Sequence, residues 1–143
     1  MIYADTSFLG SLYLQDTNSV HANTWFNANP QSILLSRLAE LELFNACRLS
    51  VFRNWVSERE CHQVLAAIEN DVKAGVLIRQ PFSAEEIFGL SSTLSAQHTS
   101  ITGNRTLDVV HVAHAIHSEM STFATFNQRQ TLLANECGLK LVP

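Results

Sequence analysis

Five apolar runs of four residues each, Met1–Ala4, Ser32–Leu35, Val76–Arg79, Thr122–Thr125 and Leu139–Val142, alternate with longer stretches of helical periodicity. This rhythm constrains the fold more than any other feature. Strands that alternate with helices pair in parallel, because each right-handed crossover returns the chain to the same edge of the sheet with a helix on its face. The helical stretches are Phe8–Leu14, Ser19–Ala28, Arg37–Phe52, Ser57–Ala74, Ala84–Gln97, Thr106–Ser118 and Gln128–Glu136. Gly75 and Gly138 fall just beyond two of them, where a left-handed residue ends a helix and hands the chain to a strand. The polar segment 98–104, which contains Gly103, is expected to be a loop. With 143 residues, 46% of them hydrophobic, the chain suits one ordinary core, and no linker, repeat or low-complexity tract divides it. A single α/β domain over residues 1–143 is expected.

The formal net charge of -4 excludes a bulk positive field that would draw nucleic acid or an anionic membrane. A nucleic-acid partner would need a local basic patch or bound cations. Cys47, Cys61 and Cys137 are odd in number and widely spaced, without a C-x-x-C pair for zinc or redox chemistry, which suits a reducing cytoplasm. No apolar run approaches the roughly 18 residues of a membrane span, and no basic start precedes an apolar leader. A soluble, cytoplasmic protein is expected.

Candidate chemistry sits where strands end. The first strand stops at Asp5-Thr6-Ser7, and in open parallel sheets ligands bind beyond the carboxyl ends of the strands, beside the central switch point. Asp5 or Thr6 is equally suited to cap the helix that follows. After the second strand, Glu40 and Glu42 lie about 200° apart on a helix and cannot share a face. Leu38, Leu41 and Phe44 are expected to be that helix's buried stripe, and periodicity does not decide which glutamate is merely solvated. Asp108 stands in the first turn of a helix that is apolar nearly all round, where the helix dipole favours it and burial would demand a partner. His111, His114 and His117 follow on the same helix. His111 and His117 differ by about 120° in direction, so the three cannot converge on one metal. Asn127, just past the strand that ends in Thr125, is a natural N-cap for the last long helix and can face the same crevice as Asp5.

In order and spacing these segments resemble the PIN-domain ribonucleases, and among them the VapC-like toxins of prokaryotic toxin–antitoxin pairs. Ile2-Tyr3-Ala4-Asp5-Thr6-Ser7 is similar to the family's first acidic motif, and Ser36 followed by Ala39-Glu40-Leu41-Glu42-Leu43 to its second. Arg105-Thr106-Leu107-Asp108-Val109-Val110-His111 is similar to the third. Thr125-Phe126-Asn127 with Arg129-Gln130 and Gly138-Leu139-Lys140 is similar to the C-terminal motif and last strand. The resemblance covers essentially the whole chain. It implies a three-layer α/β/α fold around a central parallel sheet of about five strands, and a metal-dependent endoribonuclease acting on RNA. It places the acids on Asp5, Glu42 and Asp108 as catalytic metal ligands for Mg²⁺ or Mn²⁺, with Ser7, Thr125 and Asn127 around them. A cognate antitoxin and a homodimer are implied as partners. Where Asn127 stands the family typically carries an aspartate, a departure that weakens one corner of the site.

Physics agrees with a cation there. Two ionised carboxylates about 4 Å apart repel by roughly 4 kcal/mol at an effective dielectric of about 20. Either one acid holds a proton, or a hard divalent ion among the oxygen ligands removes that cost and can activate water for phosphodiester hydrolysis. Arg105 and Arg129 are the candidate contacts to the RNA backbone. Rival classes fit less well. A phosphatase of the haloacid dehalogenase class needs a second Asp where Ser7 stands, a P-loop needs a glycine-rich turn after the first strand, and a receiver domain needs an Asp where Gln80-Pro81 follow the third. The remaining alternative is a catalytically weakened PIN fold that binds RNA or a partner.

Overall fold

The computed structural model describes residues 1–143. In chain order the elements are β1 (Ile2–Ala4), α1 (Thr6–Tyr13), α2 (Ser19–Ala28), β2 (Ile33–Leu35), α3 (Arg37–Phe52), α4 (Glu58–Lys73), β3 (Leu77–Arg79), α5 (Ala84–Thr102), α6 (Thr106–His117), β4 (Thr122–Ala124), α7 (Gln128–Glu136) and β5 (Lys140–Val142). All five strands are parallel, in the order β3-β2-β1-β4-β5. The chain therefore winds outward from β1 on one side and crosses to the other side at β4. The switch point lies between β1 and β4, and both strands are central.

Side chains alternate across each strand, so the period of two divides the core into two layers. Tyr3, Leu34 and Phe123 face α5, α6 and α7, packing with Ile87, Leu94, Val109, Val112, Ala113 and Leu133. Ile2, Ala4, Ile33, Leu35 and Ala124 face the other way, against Phe8, Leu9, Ala22, Ala39, Leu43 and Ile68 of α1 to α4. A three-layer α/β/α domain results. Gly75 and Gly138 have φ of 75° and 76°, the left-handed conformation expected where α4 and α7 give way to strands.

Two expectations are corrected, and one contact is new. The segment 98–104 is not a loop, because α5 continues to Thr102 and ends at Gly103 with φ 66°. Ser91, Ser92, Thr93 and Thr102 return their hydroxyls to carbonyls one turn earlier, which lets a polar sequence remain helical. On α3 the buried stripe is Ala39, Leu43 and Cys47, while Leu41 is 66% exposed. Leu38 and Phe44 are partly buried, each packed against one of the two core layers, so of the expected stripe only Leu41 faces solvent. Cys47 and Cys61, far apart in the sequence, meet between α3 and α4 with their sulfurs 2.8 Å apart. No helix is long and apolar enough to cross a membrane.

Candidate active site

Asp5 leaves the tip of β1 and is buried, with 1% of its surface exposed. It performs both roles the sequence offered. Its Oδ1 accepts the Phe8 N–H at 2.9 Å and so caps α1. The same carboxylate lies 2.7 and 2.9 Å from Ser7 Oγ and accepts the Thr125 hydroxyl at 2.8 Å. Burial pushes the Asp5 carboxyl above its usual range, against the opposing pull of His111, Phe8 N–H, Ser7 and Thr125. Ser7 Oγ also accepts the Phe126 N–H at 2.9 Å, and Thr125 Oγ1 accepts the Asn127 N–H at 2.9 Å. These hydroxyls fasten the ends of β1 and β4 together at the switch point, where a doubly wound sheet opens its binding crevice.

Asp108 enters from the other side, in the first turn of α6, and is 6% exposed. Its Oδ2 accepts the Arg105 N–H at 2.9 Å, the helix-start role. Its Oδ1 accepts the Asn127 side-chain amide at 2.8 Å and the Gln130 amide at 3.1 Å. Asn127 Oδ1 accepts the Arg129 N–H at 3.0 Å, so its carbonyl oxygen caps α7 and its nitrogen faces Asp108. The sequence singled out Asn127 as a weakened oxygen ligand; in the fold it is a donor to the neighbouring acid.

The two glutamates of α3 separate cleanly. Glu40 accepts Arg79 Nε at 2.8 Å and Arg37 Nη1 at 3.1 Å, a structural ion pair away from the crevice. Glu42 turns toward β1 and α6, where its Oε2 accepts the Thr6 hydroxyl and lies 2.9 Å from His111 Nε2. Partial burial raises the Glu42 pKa, but the bonds from His111 and Thr6 outweigh it and hold the carboxyl below its usual value. The histidines diverge as helical geometry requires. His111 meets Glu42, His114 packs among Tyr3 and Phe82 with both nitrogens unpaired, and His117 approaches Glu86 at 3.6 Å.

Asp5, Glu42 and Asp108 thus belong to one polar region but do not crowd together. No group of three His, Cys, Asp or Glu side chains stands close enough to hold a single metal ion. No lysine or arginine pairs with any of the three, since the arginine salt bridges go to Glu40 and Glu69. In chemistry and charge the donor set fits a hard divalent cation. Seating one requires the acids to exchange some of their bonds to Ser7, Thr125, Asn127 and Gln130 for the ion. Arg105 and Arg129 are exposed and outside every ion pair, and Asn104 Nδ2 donates to the Arg129 carbonyl at 2.6 Å, which joins their two segments. The largest groove, about 500 Å³, runs between α5 and α6, lined mainly by Ser, Thr and apolar residues, and holds no acid. Gln130, Thr6 as a donor to Glu42, and the link from Glu42 to His111 were not readable in the sequence, because each pairing joins elements distant along the chain.

The doubly wound sheet with acids at its switch point defines the fold class, a PIN-like α/β/α domain. Among the solved structures that share it are two that match over nearly the whole chain. VapC20 of Mycobacterium tuberculosis, a sarcin–ricin loop cleaving toxin, matches over 92% of this chain and 94% of its own, with a TM-score of 0.69 and 17% identity. FitAcB from Neisseria gonorrhoeae matches over 100% of this chain and 97% of its own, with a TM-score of 0.66 and 14% identity. No protein-family profile and no curated protein sequence matches the chain.

Proposed function

We propose that this protein is a VapC-like endoribonuclease, dependent on Mg²⁺ or Mn²⁺, and the toxin of a toxin–antitoxin pair. The observation that supports it is the set of three carboxylates, Asp5, Glu42 and Asp108, which β1, α3 and α6 bring to one polar region at the switch point without an arginine or lysine partner. Protein donors satisfy the three acids one by one, and a divalent cation would offset the repulsion incurred when they draw together around it. The chemistry a bound divalent ion supplies is charge on a phosphate oxygen and a lowered pKa for water, which leaves a 5′-phosphate and a 3′-hydroxyl. The chain's own residues have separate tasks. Asp5, Glu42 and Asp108 hold the ion; Ser7 and Thr125 orient Asp5; Arg105 and Arg129 meet the RNA backbone.

The test is cleavage of RNA by metal-stripped protein with and without Mn²⁺, for wild type and Asp5→Asn. Mn²⁺-dependent cleavage that Asp5→Asn lowers at least 100-fold supports the reading. Wild-type protein that binds RNA but never cleaves it overturns the enzyme and favours the alternative, a PIN fold kept for binding. The Asn127 amide on Asp108, which satisfies that acid without a metal, is the observation on that side. A small protein bound through the acidic crevice and self-association measured by light scattering are the partner expectations.

A further inference from the structure

One buried line of polar atoms runs from β2 to the crevice. Ser36 Oγ, which caps α3 by accepting the Ala39 N–H at 3.0 Å, lies 3.1 Å from the Tyr3 hydroxyl. That hydroxyl is 2.9 Å from His111 Nδ1, and His111 Nε2 is 2.9 Å from Glu42 Oε2. Ser36, Tyr3 and His111 are each 1% exposed or less. Water does not reach the line, so its members satisfy one another. Tyr3 is held by stacking on Phe123, with ring centroids 5.3 Å apart. Since Glu42 is a carboxylate that only accepts, Nε2 carries the hydrogen and Nδ1 faces the phenol.

His111 is not there simply to fill space. His114, one turn further along α6 and fully buried, sits among aromatic rings with neither nitrogen bonded, so this helix accepts an imidazole as packing material where no partner exists. At 111 both nitrogens are used. The consequence falls on Glu42, whose Oε2 receives two donors, Thr6 and His111, while Oε1 receives none. A half-exposed glutamate on a helix would otherwise sample several rotamers.

We infer that His111 is a positioning residue for the acidic site: with Tyr3 and Ser36 behind it, its Nε2–H fixes Oε2 of Glu42 and leaves Oε1, which no protein donor engages, as the oxygen that would meet a divalent cation. This rests on the function proposed above. It extends that reading to a residue that binds neither metal nor RNA. Removing an outer partner of a metal ligand typically lowers affinity by about 10- to 100-fold.

His111→Gln and His111→Asn separate positioning from packing. A glutamine amide nitrogen reaches the place of Nε2 and can still donate to Glu42, whereas an asparagine amide reaches only the place of Nδ1. Mn²⁺ affinity by calorimetry on stripped protein, thermal midpoint without metal, and kcat and KM for RNA are measured for each. The expected result is an affinity loss of about tenfold or more in His111→Asn, read in kcat with KM for RNA little changed, and its recovery to within about threefold of wild type in His111→Gln at a similar midpoint. Equal losses in both variants that track a lowered midpoint overturn the inference in favour of packing. Wild-type affinity retained by His111→Asn overturns it alone. Wild-type protein that neither binds Mn²⁺ nor cleaves RNA overturns the functional reading as well.

Discussion

At position 127 one amide serves two partners that a carboxylate could not serve together. Its oxygen caps α7 and its nitrogen donates to Asp108. In Asn127→Asp the cap survives, because aspartate caps as well as asparagine, but Asp108 loses a donor and gains a like charge. Without metal the variant should lose roughly 1–3 kcal/mol of stability, and with Mn²⁺ it should recover most of it while binding the ion more tightly. Urea titrations with and without Mn²⁺ read both effects. The glutamates of α3 make a second pair of opposites. Glu42→Gln should abolish Mn²⁺ binding with little change in folding, whereas Glu40→Gln should leave Mn²⁺ binding intact and cost about 1 kcal/mol by weakening the Arg79 and Arg37 contacts. Calorimetry and urea melts on the two variants decide it. Helical angles separated these residues but could not rank them. The resemblance chose Glu42, and in the fold Glu42, not Glu40, meets Thr6 beside β1's tip and His111 of α6.

Among the elements, α6 was the most transparent in pattern and the least in consequence. Its apolar sequence predicted burial, and Val109 to Ala115 are buried. Which histidine found a partner depended on β1 and α3, 108 and 69 residues distant in sequence. His114 shows the other outcome. Burial, with smaller contributions from His117 and His111, pushes its pKa down to about 4. Between the ordinary value near 6.5 and about 4 the unfolded chain binds the extra proton and the folded chain does not. The stability this imidazole contributes is therefore complete above about pH 6.5 and is lost as pH falls through about 4, on the order of 3 kcal/mol in all. His114→Leu should flatten the acid side of the stability profile across that window, measured by urea unfolding from pH 7 to 4. The helices α3 and α4 carry another feature hidden by spacing. Cys61 lies fourteen positions after Cys47, and the packing of α4 back on α3 brings the thiols together. Diamide, which takes up the two hydrogens as the sulfurs join, should produce a 47–61 cross-link in peptide mapping and leave Cys137 as a free thiol.

For the whole molecule, the alternation of short apolar runs with helices was enough to read a parallel α/β sheet, and strand-tip polarity was enough to bring Asp5 and Thr125 to one edge. Those signals are local: a run of four apolar residues, a carboxylate after it, a glycine past a helix. What stayed hidden needs contacts between distant parts, such as the exposure of Leu41 on α3, the persistence of α5 through a polar stretch, and the attachment of Gln130 to Asp108. Acid spacing alone also could not show that each of the three carboxylates is bonded to protein donors and that they do not form one close group.

The bond between Thr125 and Asp5 spans 120 residues, and β1 lies between β2 and β4. During synthesis the first strand leaves the ribosome before one of its two neighbours and the hydroxyl that bonds its acid have been made. A growing chain that stops short of β4 can pair β1 on one side only and cannot close the crevice. A fragment that lacks residues 122–125 therefore also lacks the assembled site, because Asp5 then has neither the β4 neighbour of its strand nor the Thr125 hydroxyl.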